Sequence, residues 1–145
     1  MMLHFFNMCR PLELVFANGM DKGEIVGIPT GDVTQMKSFE EFFDAYKKQM
    51  EYCISLLVNA DNAIDVAHAE RCPLPFLSCM IDDCLKEGRS VQEGGAVYNF
   101  TGPQGFGIAN MADGLFAIRK LVYEEKKVSM EEFKEALAWN YDKGL

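Results

Sequence analysis

Apolar positions recur every three to four residues through most of the chain, and this spacing predicts about five helices. Phe5, Phe6, Met8, Cys9, Leu12, Val15 and Phe16 form the first such series, with Pro11 in its early part. Asn18-Gly19 closes it in the manner of a helix C-terminal cap, so a helix ending near Asn18 is expected. Ser38-Phe39-Glu40-Glu41 is a capping box: the serine accepts from an orphan N–H while Glu41 reaches back. A long apolar stripe follows, from Phe39, Phe42 and Phe43 through Ile54 and Val58 to Ala67, and Pro73 ends it just after Cys72. A helix of that length spans roughly 50 Å at about 1.5 Å per residue, more than the diameter of a domain this small, so it needs a larger body to lie on.

Further helices are expected from Pro75 to Leu85, capped by Gly88, and from Ile108 to Glu125. Ser129-Met130-Glu131-Glu132, a second capping box, opens a last helix with Phe133, Leu137 and Tyr141 as its apolar line. Residues 20–37 hold Gly23, Gly27, Pro29 and Gly31 without a sustained period and read as an unusually long connection. The run Gly94–Asn110 packs five glycines around one short strand-like core and reads as strand, tight turn and helix start. Such glycine density implies a main chain threaded through a crowded interior or around a ligand. A single strand cannot satisfy its own backbone groups. Either residues 20–37 supply a weak second strand, or the neighbours belong to other polypeptide.

The chain has 145 residues, 49% of them hydrophobic, enough for one domain with a core. A net charge of −8 disfavours nucleic acid, which requires a basic face, and likewise anionic membrane surfaces. No apolar run approaches the roughly 20 residues needed to span a bilayer, and Met1–Phe6 lacks the basic leader of a signal peptide. A cytoplasmic location is expected. Cys9, Cys53, Cys72, Cys79 and Cys84 make an odd set without a CxxC pair, which favours reduced thiols over a disulfide framework or a zinc ribbon.

Candidate chemistry is sparse. His68 and Cys72 share a helix face at i and i+4, with Asp65 and Asp61 one and two turns earlier, which could form half of a metal site; a polar stripe bordering the core explains the spacing as well. Asp82-Asp83 and Glu40-Glu41 are adjacent in sequence, so on helices their side chains diverge and cannot share a proton. Cys79 and Cys84 lie off a common face. The segment Gly102–Gly107 precedes a helix and could cradle an anion, but it lacks the lysine and hydroxyl residue of a P-loop; a strand turning sharply in a packed interior is the alternative.

Taken together, Glu93–Asn110, Pro73-Leu74-Pro75-Phe76-Leu77-Ser78 and Lys120-Leu121-Val122-Tyr123-Glu124-Glu125-Lys126-Lys127 closely resemble the glycyl radical enzymes, the pyruvate formate-lyase-like family. Phe5-Phe6-Asn7-Met8-Cys9-Arg10-Pro11-Leu12-Glu13-Leu14 and Asp44–Tyr52 look most like the branch of coenzyme-B12-independent glycerol dehydratases. The resemblance covers essentially everything after His4. It implies an α/β fold, with residues 1–145 forming a mostly helical fragment of a ten-stranded α/β barrel, a partial domain lacking both the cysteine loop and the glycine radical domain. It also implies an anaerobic lyase chemistry in which a glycyl radical, installed by an S-adenosylmethionine iron–sulfur activating enzyme, is relayed to a cysteine thiyl. The parent reaction would be dehydration of glycerol or a related small diol; formate acetyltransferase, choline lyase and hydroxyproline dehydratase branches are alternatives.

None of the five cysteines has the Cys-Val-Glu-Pro type flank of the thiyl loop, so the resemblance assigns no catalytic, cofactor-binding or metal residue in this chain. Tyr98 and Asn99 could approach the barrel interior. Expected partners are the remainder of the barrel or a split partner chain, the activating enzyme, a second copy of the parent and a small-molecule substrate. A non-catalytic helical module pairing with such a split partner is the alternative to an enzyme fragment. Met1-Met2-Leu3-His4 stands where relatives would carry His-Asp-Ala-Ala. Codons for the latter, read one base late, spell the former, so a frameshifted or interrupted reading frame is expected.

Overall fold

A computed structural model describes residues 2–141. The element order is β1 (Met2–Asn7), α1 (Arg10–Phe16), β2 (Met20–Asp21), β3 (Glu24–Ile25), a 3₁₀ turn (Val33–Gln35), α2 (Phe39–Arg71), α3 (Pro75–Cys79) and α4 (Cys84–Glu87). Then follow β4 (Thr101–Phe106), α5 (Ile108–Ala117), a π-helical continuation (Ile118–Glu124) and α6 (Met130–Ala138). β1 pairs with β4, and β2 with β3 in an antiparallel hairpin. The chain divides into two compact units, Met1–Phe6 with Ile54–Gln104 and Asn7–Cys53 with Gly105–Leu145.

The first helix is shorter than the apolar spacing predicts. Pro11 sits in the first turn of α1, where its missing N–H costs nothing, so it marks the start of the helix rather than its interior. Phe5 and Phe6 belong instead to β1, and this strand answers the question of what pairs with the glycine-rich segment. That segment is itself shifted: β4 takes Thr101–Phe106, the residues expected to form the turn, while Val97–Phe100 are irregular. Residues 20–37 do supply strands, but β2 and β3 pair with each other.

The long helix runs from Phe39 to Arg71 as its capping box and Pro73 require. The Glu41 amide donates to Ser38 Oγ at 3.2 Å, and Glu41 Oε2 accepts from the Lys37 amide at 2.7 Å. The expected helix 75–85 is broken into α3 and α4. Asp83 adopts φ 74° just before α4, a left-handed conformation that stops helix propagation, and Gly88 caps α4 at φ 64° as expected. Ser129 and Glu132 make both bonds of the second capping box.

In the second unit, Val15, Val33, Phe42, Tyr46, Ile118 and Phe133 belong to one buried cluster. The Phe16 ring packs against Phe42 and Phe133 at centroid distances of 5.5 and 6.1 Å. Burying Phe42 completely removes enough apolar area for about 2–3 kcal/mol of stabilisation. The first unit is thinner: Cys84, Val91 and Ala96 are its buried apolar cluster, with Ile81 against them. Phe76 is 77% and Tyr98 81% exposed in that unit.

Candidate functional site

Two places gather the residues that the sequence singles out. In the first unit a cleft of about 350 Å³ is lined by Asp65, His68, Gln92 and Asn99 together with Leu74, Leu77, Ile81 and Val91. Asp65 and His68 reach it because i and i+3 share a face of α2. Asn99 is placed by its Nδ2 donating to the Val91 carbonyl at 3.1 Å, and Gln92 by its Oε1 accepting from the Leu74 amide at 3.2 Å. Thr101 Oγ1 donates to Asp65 Oδ2 at 3.0 Å, so the carboxylate ties the helix to the start of β4. The loop between Ser90 and Glu93 is braced by the Glu93 carboxylate, which accepts from the Ser90 amide at 2.9 Å and its hydroxyl at 2.8 Å. These bonds hold the carboxyl below its ordinary range.

The half metal site does not assemble. Cys72 is exposed and does not line the cleft with His68, while Asp61 is buried one turn away from Asp65. Among the described residues no group of three or more His, Cys, Asp and Glu side chains could hold a metal ion. Tyr98 points to solvent, whereas its neighbour Asn99 lines the cleft. Asp82 and Asp83 occupy the break between α3 and α4 and not a helix face, and Glu40 and Glu41 lie exposed in the first turn of α2. Cys79 is exposed and Cys84 buried, each a free thiol.

In the second unit the ends of β1 and β4 cross closely. The Met8 amide donates to the Phe106 carbonyl at 3.0 Å, and Asn7 Oδ1 accepts from the Cys9 amide at 3.0 Å. A side chain at Gly105 would place its Cβ 3.1 Å from Met8 Sδ; at Gly107, which has φ 77°, the Cβ would lie 3.1 Å from Cys9 Sγ. Both glycines therefore leave room for the Met8 and Cys9 side chains against the main chain, and Gly107 also makes a left-handed turn into α5. Cys9 Sγ donates to the Gly107 carbonyl at 3.5 Å, which makes this thiol a packing contact. Burial pushes the Cys53 thiol up, against the lowered value a nucleophilic thiolate needs. These groups brace backbone; they do not form a nucleophile–base pair among the described residues.

The sequence profile described as Pyruvate formate lyase-like matches residues 1–144. The chain belongs to this family. A solved structure concerned with 1,2-propanediol dehydration in Roseburia inulinivorans is 66% identical, superimposes with a TM-score of 0.91 and covers 94% of this chain. The glycerol-bound B12-independent glycerol dehydratase from Clostridium butyricum is 51% identical over 92% of the chain with a TM-score of 0.87. Trans-4-hydroxy-L-proline dehydratase of Clostridioides difficile is 37% identical over 140 residues, 95% of the chain. The chain spans only 17% of the Roseburia and Clostridium butyricum chains and 18% of the hydroxyproline enzyme. Its mostly helical fold with small sheets thus matches part of a much longer pyruvate formate lyase-like polypeptide, and the ten-stranded barrel of such a parent lies outside what this segment displays. No helix among the described residues is long and apolar enough to cross a membrane.

The residues missed by sequence reasoning are those whose partners are distant. Gln92 has no periodic signal at all, and Asn99 reaches the cleft only because its amide finds Val91. Gly107 was visible as a glycine, but its contact with Cys9 joins positions 98 apart in the chain.

Proposed function

We propose that this segment is wall material of a glycyl radical lyase whose parent reaction is the radical dehydration of a small diol, 1,2-propanediol or glycerol. The 66% identity over 94% of the chain to the structure concerned with 1,2-propanediol dehydration carries this reading. In it, the hydrogen-abstracting cysteine and the radical glycine reside on other parts of the parent. The radical is installed by an S-adenosylmethionine iron–sulfur activating enzyme, and the segment contributes α2, the β1–β4 pair and the helices that support them. The weaker identity to the hydroxyproline enzyme, 37%, ranks that substrate class below diols.

The test is a segment exchange: residues 5–141 replace the matched portion of the Roseburia enzyme, which is then activated anaerobically and assayed with 1,2-propanediol, glycerol and trans-4-hydroxy-L-proline. Dehydration of a diol at a rate comparable to the parent supports the proposal. A folded, radical-bearing exchange protein that turns over neither diol overturns it.

A further inference from the structure

Beyond α5 the backbone bonds reach further along the chain than an α-helix allows. The Glu125 amide donates to the Lys120 carbonyl at 2.8 Å and the Lys127 amide to the Leu121 carbonyl at 2.9 Å, spacings of five and six residues. The charged side chains follow the same spacing: Arg119 Nε donates to Glu124 Oε1 at 2.7 Å, and Lys120 Nζ lies 3.7 Å from Glu125 Oε1. An α-helix instead brings together positions three and four apart, so the same four charges would there give one pair, Lys120 with Glu124. The segment thus carries a charge pattern for either register. Ion pairs between exposed side chains are weak, and a second pair does not by itself hold the rarer one. Tyr123 supplies the difference. At 3.6 residues per turn it would lie roughly 140° round the helix from the buried Ile118. In the π register its hydroxyl donates to the Met36 carbonyl at 3.4 Å and its ring meets Phe39 edge-on at 6.2 Å, while the Arg119 guanidinium lies 5.8 Å from the centre of the same Phe39 ring.

We infer that Ile118–Glu124 is a two-register latch. Docked on Met36 and Phe39 it takes the π register. Released from them it relaxes to the α register, in which the Glu125 amide donates to the Leu121 carbonyl, the Lys127 amide loses its acceptor and Lys120 takes Glu124. The latch couples the residues that lead into α2 to those that lead into α6: a displacement of residues 36–39 frees residues 126–128, and by reciprocity a displacement of the latter loosens the former.

The experiment uses the segment-exchange enzyme carrying Tyr123→Ala and, separately, Phe39→Leu, with amide hydrogen exchange resolved to single residues by electron-transfer fragmentation. The two amides at the end of the segment should part company. Exchange at Lys127 should accelerate by about 100-fold or more, while exchange at Glu125, which keeps an acceptor in either register, should stay within about threefold of the unsubstituted protein. A crystal structure of the variant should show Glu124 paired with Lys120 in place of Arg119. Equal acceleration of both amides, which marks local unfolding and no change of register, overturns the inference. So does an unchanged Lys127 amide in both variants. A variant that fails to fold is replaced by the other, and Tyr123→Phe, which removes only the hydroxyl, stands behind them with the same pair of amides read for the same divergence.

Discussion

Gln49 holds Ile28 by both polar groups of its backbone: Gln49 Nε2 donates to the Ile28 carbonyl at 2.5 Å, and Gln49 Oε1 accepts from the Ile28 amide at 3.2 Å. Gln49 is completely buried, so these bonds replace the water that its own side-chain amide cannot reach. The clamp fixes the long connection before α2, and the adjoining Gly27 leaves room for it: a Cβ there would lie 2.5 Å from Gln49 Oε1. Gln49→Leu leaves the Ile28 amide and carbonyl unpaired at a cost of about 2–3 kcal/mol. Hydrogen exchange at the Ile28 amide, measured in the segment-exchange enzyme, should accelerate by roughly 30- to 100-fold. An unchanged rate would show that the clamp does not hold the connection.

Asp83 sits at φ 74° and its side chain makes no cap to α4. An L residue pays about 1–2 kcal/mol for this conformation, partly recovered by aspartate's tolerance of it. Asp83→Gly should therefore slow exchange of the α4 amides, by an amount corresponding to at most about 1 kcal/mol. Faster exchange in the variant would mean that the carboxylate stabilises the break.

Glu132 receives the Ser129 amide and hydroxyl, each at 2.8 Å, and these bonds hold its carboxyl below the ordinary range, the backbone bond contributing most. A depressed folded pKa means a contribution present above the unfolded value and lost as pH falls through the lower folded one. Exchange in the first turn of α6 should accelerate on acidification below the usual carboxylate range. Glu132→Gln should show the faster exchange already at neutral pH, with little further change on acidification. Parallel acid profiles for the two proteins would contradict this.

Tyr123 donates to the Met36 carbonyl at 3.4 Å, and burial, followed by the charge of Glu41, pushes its phenol from 10.0 to about 12. The neutral phenol's contribution is therefore complete below about 10 and is lost as pH rises through about 12. Tyrosinate absorbance of the segment-exchange enzyme should show one phenol titrating near 12 that disappears in Tyr123→Phe. Loss in Tyr123→Phe of a phenol titrating near 10.0, with the absorbance change near 12 retained, would place Tyr123 among the ordinary tyrosines.

Signals that act within one turn were legible in the sequence. Ser38, Ser129, Pro73 and Gly88 set the ends of α2, α4 and α6 because their partners are no more than a few residues away. β1 was not legible as a strand, since Phe5 and Phe6 fit a helical spacing until Pro11 is placed in the first turn of α1, and the pairing strand lies far along the chain. The division between α3 and α4 escaped for a related reason. The chain must turn at Asp83 for Cys84 to reach Val91 and Ala96, and that demand comes from packing rather than from propensity. Of the cleft, the helix spacing showed Asp65 and His68 but not the amide side chains facing them.

If the chain is wall material of a longer enzyme, it is completed only by a larger body. Size-exclusion chromatography with light scattering, followed by calorimetry, tests it on the isolated 145-residue chain. With Phe76 and Tyr98 left to water, the chain should form heterogeneous aggregates without a cooperative unfolding transition. A monodisperse monomer with a single sharp transition would show that the chain needs no such body.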